Sequence, residues 1–344
     1  MKAITQDRYG SAEVLATRDI DRPEIADNDV LVRVHAASIH IGDWVLMTGQ
    51  PYVMRLGTGL RSPKHRVPGT DVAGTVEAVG AGVQNLRAGD EVFGWCSGAF
   101  AEYAAGPEDQ FVTKPANLTF EGAAAVGVSA TTALQLLRDD AKIEPGQKVL
   151  INGASGGVGT YAVQLAKAFG AEVTGVCSTN NVELVRSIGA DHVIDYTRED
   201  FRAGDERYDV ILDNVGNRSM ADTRRALTPN GMLISNGGGH SSGKLFRVIR
   251  SALASMVVRQ QARPSVKSQN RADLLALREL VEAGALTPVI GGTYALADTA
   301  NAISRVAAGH ARGTLVIAVA RPPIAGLDTE RTQKDVPVAA AAVA

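Results

Sequence analysis

The sequence contains little cysteine, few aromatic residues and almost no net charge. Cys96 and Cys177 are the only cysteines among 344 residues, which excludes a disulfide scaffold, and they do not form the C-x-x-C spacing of a structural zinc site. A formal net charge of −2 gives no whole-chain reason to expect a nucleic-acid partner. Residues 1–8 lack the apolar core of a secretion signal, so we expect a cytoplasmic protein.

Glycine is abundant, and the hydrophobic pattern changes about one third of the way along the chain. Residues 30–35, 72–80 and 91–95 have the short apolar or alternating pattern of β-strands. From about Glu121 to Ser235, apolar strands alternate with helical patterns, an order that predicts a parallel, doubly wound sheet. Together with 36 glycines and only 5% aromatic residues, this order predicts an α/β fold.

A glycine turn connects the apolar strand 149–152 to an amphipathic helix beginning near Thr160. Gly156 permits a tight turn that brings backbone N–H groups to a pyrophosphate, and Gly159 permits close packing of helix against strand. Residues 149–166 carry no charge over 18 residues, but their polar side chains and glycines predict a strand, turn and helix rather than a membrane span. The predicted cofactor-binding residues of this turn are Ala154, Ser155, Gly156, Gly157, Val158 and Gly159.

The end of the second strand indicates which dinucleotide binds. An NAD-selective site places an acidic residue there to hold the ribose hydroxyls, whereas residues 176–181 contain no Asp or Glu. We therefore expect NADPH in preference to NADH. No Arg or Lys occupies 177–181 to neutralise a 2′-phosphate, so Arg198 is either a substitute cation or a solvated loop residue.

Six segments resemble the zinc-independent, quinone oxidoreductase-like branch of the medium-chain dehydrogenase/reductase superfamily. They are AASIHIGDW (36–44), PGTDVAGTV (68–76), AGDEVFG (88–94), GASGGVG (153–159), GADHVIDY (189–196) and ARGTLVI (311–317). The resemblance implies a β-rich GroES-like catalytic domain, a Rossmann NADP-binding domain, a cleft between them and a homodimer. It places Thr132 and Gly237 by the nicotinamide and Ser178, Asn181 and Tyr196 near the adenosine phosphate; Asn214 completes the candidate cofactor site.

The same resemblance divides the chain into domains. Residues 1–124 and 268–322 are expected to form the GroES-like domain, 125–267 the Rossmann domain, and 323–344 a disordered tail. Zinc members of the superfamily hold a catalytic metal with a cysteine and a Gly-His-Glu segment, whereas this sequence has His40 and Gly69-Thr70-Asp71 near those places. We therefore expect no zinc.

The absence of a metal limits the reaction. Reduction of a simple ketone concentrates charge on one oxygen, whereas in a quinone or α,β-unsaturated carbonyl the charge spreads and hydrogen bonds suffice. We expect NADPH-dependent reduction of such conjugated acceptors. The catalytic candidates are His40, which either binds the acceptor carbonyl or forms a cleft wall, Asp43, which either orients His40 or caps a turn, and Tyr52, for which packing is the alternative. Trp44, Met47, Met54 and Leu56 are expected in an apolar pocket or core.

Residues 223–272 contain nine Lys or Arg and no acid. A solvated helix face explains this asymmetry. Two other readings stay open: an enoyl-thioester reductase whose cations bind the phosphates of an acyl-CoA, and a non-catalytic NADPH-sensing or RNA-binding protein. Contact of the stretch with an acidic membrane is a further open reading, although no stable membrane insertion is expected.

Overall fold

The computed structural model describes residues 1–202, 204–217, 219–236, 261–264, 268–309 and 311–319. Gly237, much of the basic 223–272 stretch and the 323–344 tail, for which the sequence makes predictions, lie outside these ranges.

The described residues form fifteen strands and eight α-helices. The strands are β1 Lys2–Thr5, β2 Ala16–Asp19, β3 Asp29–Ile39, β4 Asp71–Val79, β5 Glu91–Trp95, β6 Tyr103–Pro107, β7 Phe111–Thr113, β8 Lys148–Asn152, β9 Glu172–Cys177, β10 His192–Asp195, β11 Tyr208–Asp213, β12 Leu227–Ser235, β13 Gln261–Pro264, β14 Ile290–Ala295 and β15 Thr314–Ala318. The helices are α1 Ile41–Thr48, α2 Arg55–Thr58, α3 Phe120–Gln135, α4 Gly157–Ala168, α5 Val182–Ser187, α6 Met220–Arg224, α7 Arg271–Glu282 and α8 Thr299–Ala307.

The first sheet draws strands from both ends of the chain. Its order is β14-β15-β3-β4-β5-β7, and β6 pairs with β3. Strand β3 is buried on both faces over residues 36–39, whereas Arg33, between the buried Val32 and Val34, is exposed. The strands expected at 30–35, 72–80 and 91–95 are confirmed as parts of β3, β4 and β5.

The second sheet is parallel throughout. Its order is β10-β9-β8-β11-β12-β13, and every described pairing within it is parallel. This is the doubly wound order in which the chain reverses direction across the sheet between β8 and β11, where ligands bind at the carboxyl ends of the strands. The prediction of an α/β fold with a doubly wound parallel sheet is confirmed.

Helix α3 lies between the two sheets and is buried along most of its length. The helical stretch Phe120–Ala141 is long and apolar enough to cross a membrane, but 78% of its most apolar window is buried inside the molecule. Its backbone leaves helical geometry at Gly127 (φ −10°, ψ −118°), where the N–H of Val128 donates to Asp71 Oδ1 at 3.0 Å. The kink therefore joins α3 to the start of β4.

Hydrogen bonds and packing connect the two sheets near the glycine turn. The N–H of Gly313 donates to the Ser155 carbonyl at 2.8 Å, and the hydroxyl of Tyr161 donates to the Ala125 carbonyl at 2.9 Å. A single core cluster includes Phe93 of the first sheet and Ile151 of the second. The domain boundaries expected at 124/125 and 267/268 stay a prediction, since α3 runs through the first of them.

Candidate active site

The turn after β8 has the geometry of a phosphate cradle. Gly153 adopts φ +81°, which favours glycine, and a Cβ at Gly159 would overlap the Gly153 carbonyl oxygen. At Gly156 a Cβ would meet only that carbonyl, at 3.5 Å, so the space above it is open. Gly156 precedes α4 without any side-chain cap, which leaves the first N–H groups of the helix and its positive dipole end directed at that space. These residues fit a dinucleotide phosphate.

The candidate residues for the adenosine end lie together at the carboxyl ends of β9 and β10. Asn181 Nδ2 donates to Ser178 Oγ at 3.1 Å, and the N–H of Tyr196 donates to the Cys177 carbonyl at 3.0 Å. The Tyr196 side chain is exposed, as is that of Arg198. The structure thus places Ser178, Asn181 and Tyr196 at one edge of the sheet, as the sequence predicts. Ser178 supplies a hydroxyl group there, Asn181 an amide, and Arg198 a positive charge.

An acidic residue that the sequence analysis missed lies beside this edge. Asp195 ends β10 rather than β9, so the search of residues 176–181 did not include it. Its carboxylate accepts hydrogen bonds from Thr179 Oγ1 at 2.6 Å and Thr197 Oγ1 at 2.7 Å, and Arg198 Nε lies 3.5 Å away. The hydrogen bond from Thr179, followed by that from Thr197, lowers the pKa of Asp195. The carboxylate is therefore already occupied by neighbouring donors.

Two further candidates lie toward the centre of the sheet. Asn214 follows β11; its Oδ1 accepts from Asn236 Nδ2 at 2.8 Å, while its own Nδ2 is buried without a partner among the described residues. A buried amide donor without a partner is rare and marks a position for a ligand acceptor. Thr132 is half-buried on α3, one turn beyond Ser129, whose hydroxyl would lie 3.3 Å from a Cβ at Gly157. Ser129 was not identified from the sequence.

His40 caps the first helix and contacts a threonine. The His40 Nδ1 atom accepts the N–H of Gly42 at 3.0 Å, so the ring proton must be on Nε2, which donates to Thr70 Oγ1 at 2.7 Å. The Asp43 carboxylate accepts the backbone N–H of His40 at 2.9 Å, which completes a capping box at the start of α1. Burial lowers the pKa of His40, so its ring is neutral near pH 7.

Two buried carboxylates lie beneath this histidine. Burial raises the pKa of Asp43 to about 7 and that of Asp71 to about 6. Asp71 is held by Ser38 Oγ at 2.9 Å and by the N–H of Val128, whereas Asp43 Oδ1 is buried without a partner among the described residues. Because His40 is neutral, its 3.6 Å approach to Asp43 is not an ion pair at neutral pH. At pH 7 the His40 ring is therefore neutral, Asp43 is close to half protonated and Asp71 is mostly ionised.

These residues do not fit a catalytic zinc. Both ring nitrogens of His40 are engaged in hydrogen bonds, and a ligating nitrogen needs a free lone pair. Thr70 and Asp71 stand where the zinc members have a second set of ligands, and the oxygens of Asp71 accept from Ser38 and Val128. Within the described ranges no group of three or more His, Cys, Asp or Glu side chains has the geometry of a metal site.

A cleft of about 200 Å³ opens beside Asp43 and Thr70. The other residues around it come from α1, the 57–69 segment, Gln6, Ser97 and Gly98. Tyr52 does not line this cleft: its side chain is 69% exposed and lies against the guanidinium of Arg55. His40 does not line the cleft either, but contacts Thr70, which does. The structure brings His40 and Asp43 together at the start of α1, and the catalytic roles of all three residues stay predictions.

Comparisons with known proteins agree with this architecture. Residues 26–116 match the alcohol dehydrogenase GroES-like domain, and residues 188–317 match the zinc-binding dehydrogenase family. A tomato (Solanum lycopersicum) protein named 2-methylene-furan-3-one reductase is 32% identical over 92% of this chain and 79% of its own. The quinone oxidoreductase of Coxiella burnetii superposes with a TM-score of 0.82 at 31% identity, covering 93% of this chain and 99% of that one.

A second structure, the Escherichia coli quinone oxidoreductase complexed with NADPH, superposes with a TM-score of 0.79 at 26% identity, covering 93% of this chain and all of the other. Fold and glycine turn define a two-domain, nucleotide-binding oxidoreductase. The chain belongs to the medium-chain dehydrogenase/reductase superfamily, in its quinone oxidoreductase-like branch.

Proposed function

We propose that this protein catalyses the NADPH-dependent reduction of quinones or α,β-unsaturated carbonyls without zinc. The observation that carries the proposal is the His40–Thr70 hydrogen bond beside an open cleft, at the place where zinc relatives hold their metal. Relatives named for reduction of a methylene-furanone and of quinones support it.

The hydrogen-bond directions assign a role to Thr70. Since His40 Nε2 donates to Thr70 Oγ1, the hydroxyl hydrogen of Thr70 is free to point toward an acceptor oxygen in the cleft. NADPH, when bound, supplies the hydride that reduces the acceptor carbon. Thr70 then stabilises the negative charge that spreads onto the acceptor oxygen, while His40 orients Thr70, and the protonated form of Asp43 supplies a nearby proton.

The preference for NADPH over NADH is part of the proposal. No acid follows β9, and Asp195 is committed to Thr179 and Thr197, so it does not compete for the ribose hydroxyls. Ser178, Asn181 and Arg198 supply donors and a positive charge for a 2′-phosphate. The cofactor in the related E. coli structure is NADPH.

The remaining expectations belong to the same proposal: a cytoplasmic homodimer of a GroES-like and a Rossmann domain. The rival activities, an enoyl-thioester reductase and an NADPH-sensing or RNA-binding protein, depend on the basic 223–272 stretch, much of which lies outside the described residues. Sizing by light scattering tests the dimer, which has twice the 36.0 kDa chain mass.

A stopped-flow panel tests the activity. NADPH and NADH are each mixed with benzoquinones, simple enones, an enoyl-CoA and its CoA-free analogue, with and without chelator. We expect fast oxidation of NADPH by quinones or enones, no dependence on the CoA moiety and no loss with chelator. Tight NADPH binding without turnover, together with salt-sensitive RNA binding, supports the sensor; loss of activity with chelator contradicts the metal-free mechanism.

A further inference from the structure

Within the described ranges, most of the exposed large apolar side chains lie in one segment of the chain. Seven of the eleven large hydrophobic residues exposed in the described part of the chain lie between residues 41 and 60. We call five of them the apolar lip: Tyr52, Val53, Met54, Leu56 and Leu60, which are between 42% and 73% exposed. The expectation of an apolar pocket or core is wrong for Leu56 and Met54, which are exposed. It is confirmed for Met47, which is buried, and for Trp44, which packs partly buried against a core cluster. A cluster of this kind marks an interaction surface.

The surroundings of the lip are positively charged. Residues 44–70 contain no Asp or Glu and include Arg55, Arg61, Lys64 and Arg66. Arg66 pairs with Asp7, and Arg55 lies over the rings of Tyr9 and Tyr52. Arg61 and Lys64 are exposed and form no ion pair with any residue that the structure describes. Two unpaired cations thus lie within four residues of Leu60.

The combination of exposed apolar side chains and unpaired cations favours one kind of partner for the apolar lip. A second copy of the lip would bring cations against cations, and the 237–260 segment of the same chain also lacks acids while carrying Lys244, Arg247, Arg250 and Arg259. A partner must therefore supply negative charge around an apolar interior. An anionic bilayer does so, because its phosphates attract Lys and Arg while its acyl region accepts leucine side chains.

We propose that the apolar lip docks reversibly on anionic lipid bilayers. Leu56 and Leu60 enter the headgroup–acyl boundary, and Arg61 and Lys64 contact lipid phosphates. Gly57 and Thr58, within the same segment, line the cleft beside Thr70, so the docked protein presents its cleft to the membrane. The delivery of lipophilic acceptors by this route rests on the proposed reductase activity; the docking does not.

Vesicle sedimentation of the full-length protein tests the docking. We expect binding to vesicles of phosphatidylglycerol and phosphatidylcholine, and about tenfold weaker binding both to pure phosphatidylcholine vesicles and to the mixed vesicles at high salt. The double variants Leu56→Ser/Leu60→Ser and Arg61→Gln/Lys64→Gln should each lose at least tenfold in partition coefficient. Leu275→Ser, at an exposed leucine of α7, and Arg87→Gln/Arg207→Gln, at exposed arginines elsewhere, are matched controls and should bind normally.

Three results overturn the docking. One is equal binding to neutral and anionic vesicles, a second is unchanged binding by both lip variants, and a third is self-association that Leu56→Ser/Leu60→Ser abolishes without any vesicle binding. All replaced side chains are exposed, so unchanged thermal unfolding midpoints verify that the variants are folded. Turnover of water-soluble acceptors is measured separately, so failure of docking and failure of the reductase activity give different results.

Discussion

At the scale of single residues, the hydrogen-bonded chain Gly42–His40–Thr70 determines where protons are. One backbone N–H fixes the tautomer of His40, and that tautomer determines which hydrogen Thr70 can offer to a substrate. The sequence analysis identified His40 and Asp43 from their positions in a motif. It did not assign a role to Thr70, because Thr70 lies 30 residues from His40 and only the fold brings them together.

Removing the Thr70 hydroxyl tests this assignment. We expect Thr70→Val to lower kcat/KM for the acceptor by about 100-fold with little change in the Kd of NADPH, because one hydrogen bond to the developing charge is lost. Thr70→Ser should keep most activity. Thr48→Val is the control, since its hydroxyl bonds only within α1, at 2.9 Å from the Trp44 carbonyl. Steady-state kinetics measure kcat/KM for each variant. Full activity of Thr70→Val would show that the Thr70 hydroxyl does not take part in the reaction.

The buried Asp43 makes stability depend on pH. Its pKa rises from 3.8 to about 7 on folding, so the folded state resists its ionisation, and stability decreases as pH rises between these values. The Asp43→Asn variant has no carboxyl group at this position and therefore does not lose stability by ionisation of a buried group. Its free energy of unfolding relative to wild type should therefore increase by about 1.4 kcal/mol per pH unit up to about pH 7 and then level off. Urea unfolding from pH 5 to 8.5 measures this difference in the free energy of unfolding. The control Asp205→Asn, at an exposed position, should show no such trend with pH. A difference between Asp43→Asn and wild type that does not change with pH would contradict the prediction.

At the scale of elements, strand β8, the glycine turn and α4 were predictable because their signals are local. A glycine pattern between an apolar strand and an amphipathic helix has few alternatives. The kink in α3 was not predictable, because it depends on a contact between Val128 and Asp71, which are 57 residues apart. Asp195 was missed for a similar reason: it is the last residue of β10, and parallel pairing brings it beside Cys177 at the end of β9.

Two glycines of the turn should respond differently to alanine. Gly156→Ala should leave unfolding unchanged and weaken NADPH binding at least about tenfold, because its Cβ enters the phosphate cradle without striking protein atoms other than a carbonyl at 3.5 Å. Gly159→Ala should instead destabilise the fold, because its Cβ overlaps the Gly153 carbonyl. Fluorescence titration and urea unfolding separate the two effects; equal NADPH affinity in Gly156→Ala contradicts the cradle.

The kink of α3 should need glycine. A Cβ at Gly127 would overlap the Asp71 carboxylate, so Gly127→Ala should lower the free energy of unfolding by about 1–3 kcal/mol. Gly122→Ala, in the same helix, is the matched control: its Cβ would meet Leu118 at an ordinary 3.4 Å, and the change should be neutral or slightly stabilising. Equal stability of the two variants in urea would show that the kink tolerates a side chain.

At the scale of the whole molecule, the fold class and the family followed from the sequence, whereas the interaction surface did not. The order of strands and helices predicts a doubly wound sheet without any knowledge of contacts. Exposure of Leu56 and Leu60 depends on how the 50–66 segment lies across the surface, and a run of apolar residues predicts core equally well.

Cofactor binding should stabilise the assembled molecule selectively. At a free concentration 100 times its Kd, NADPH should add about 2.7 kcal/mol to the free energy of unfolding, and NADH at the same concentration should add less. Differential scanning fluorimetry with both nucleotides measures the difference in Tm, and 2′-AMP serves as a control for the adenosine end. A larger shift with NADH than with NADPH would contradict the preference for the 2′-phosphate.

The position of β15 has a consequence for synthesis on the ribosome. Residues 36–39 of β3 pair with β15, which the ribosome adds only after more than 270 further residues. Until then that part of β3 presents unpaired backbone groups, a template for aggregation. The six described strands of the second sheet have all been synthesised once Pro264 is added, so this sheet can form before the closing strands of the first sheet exist. In the nascent chain, the unpaired edge of β3 should therefore need protection from aggregation until residue 318 has left the exit tunnel.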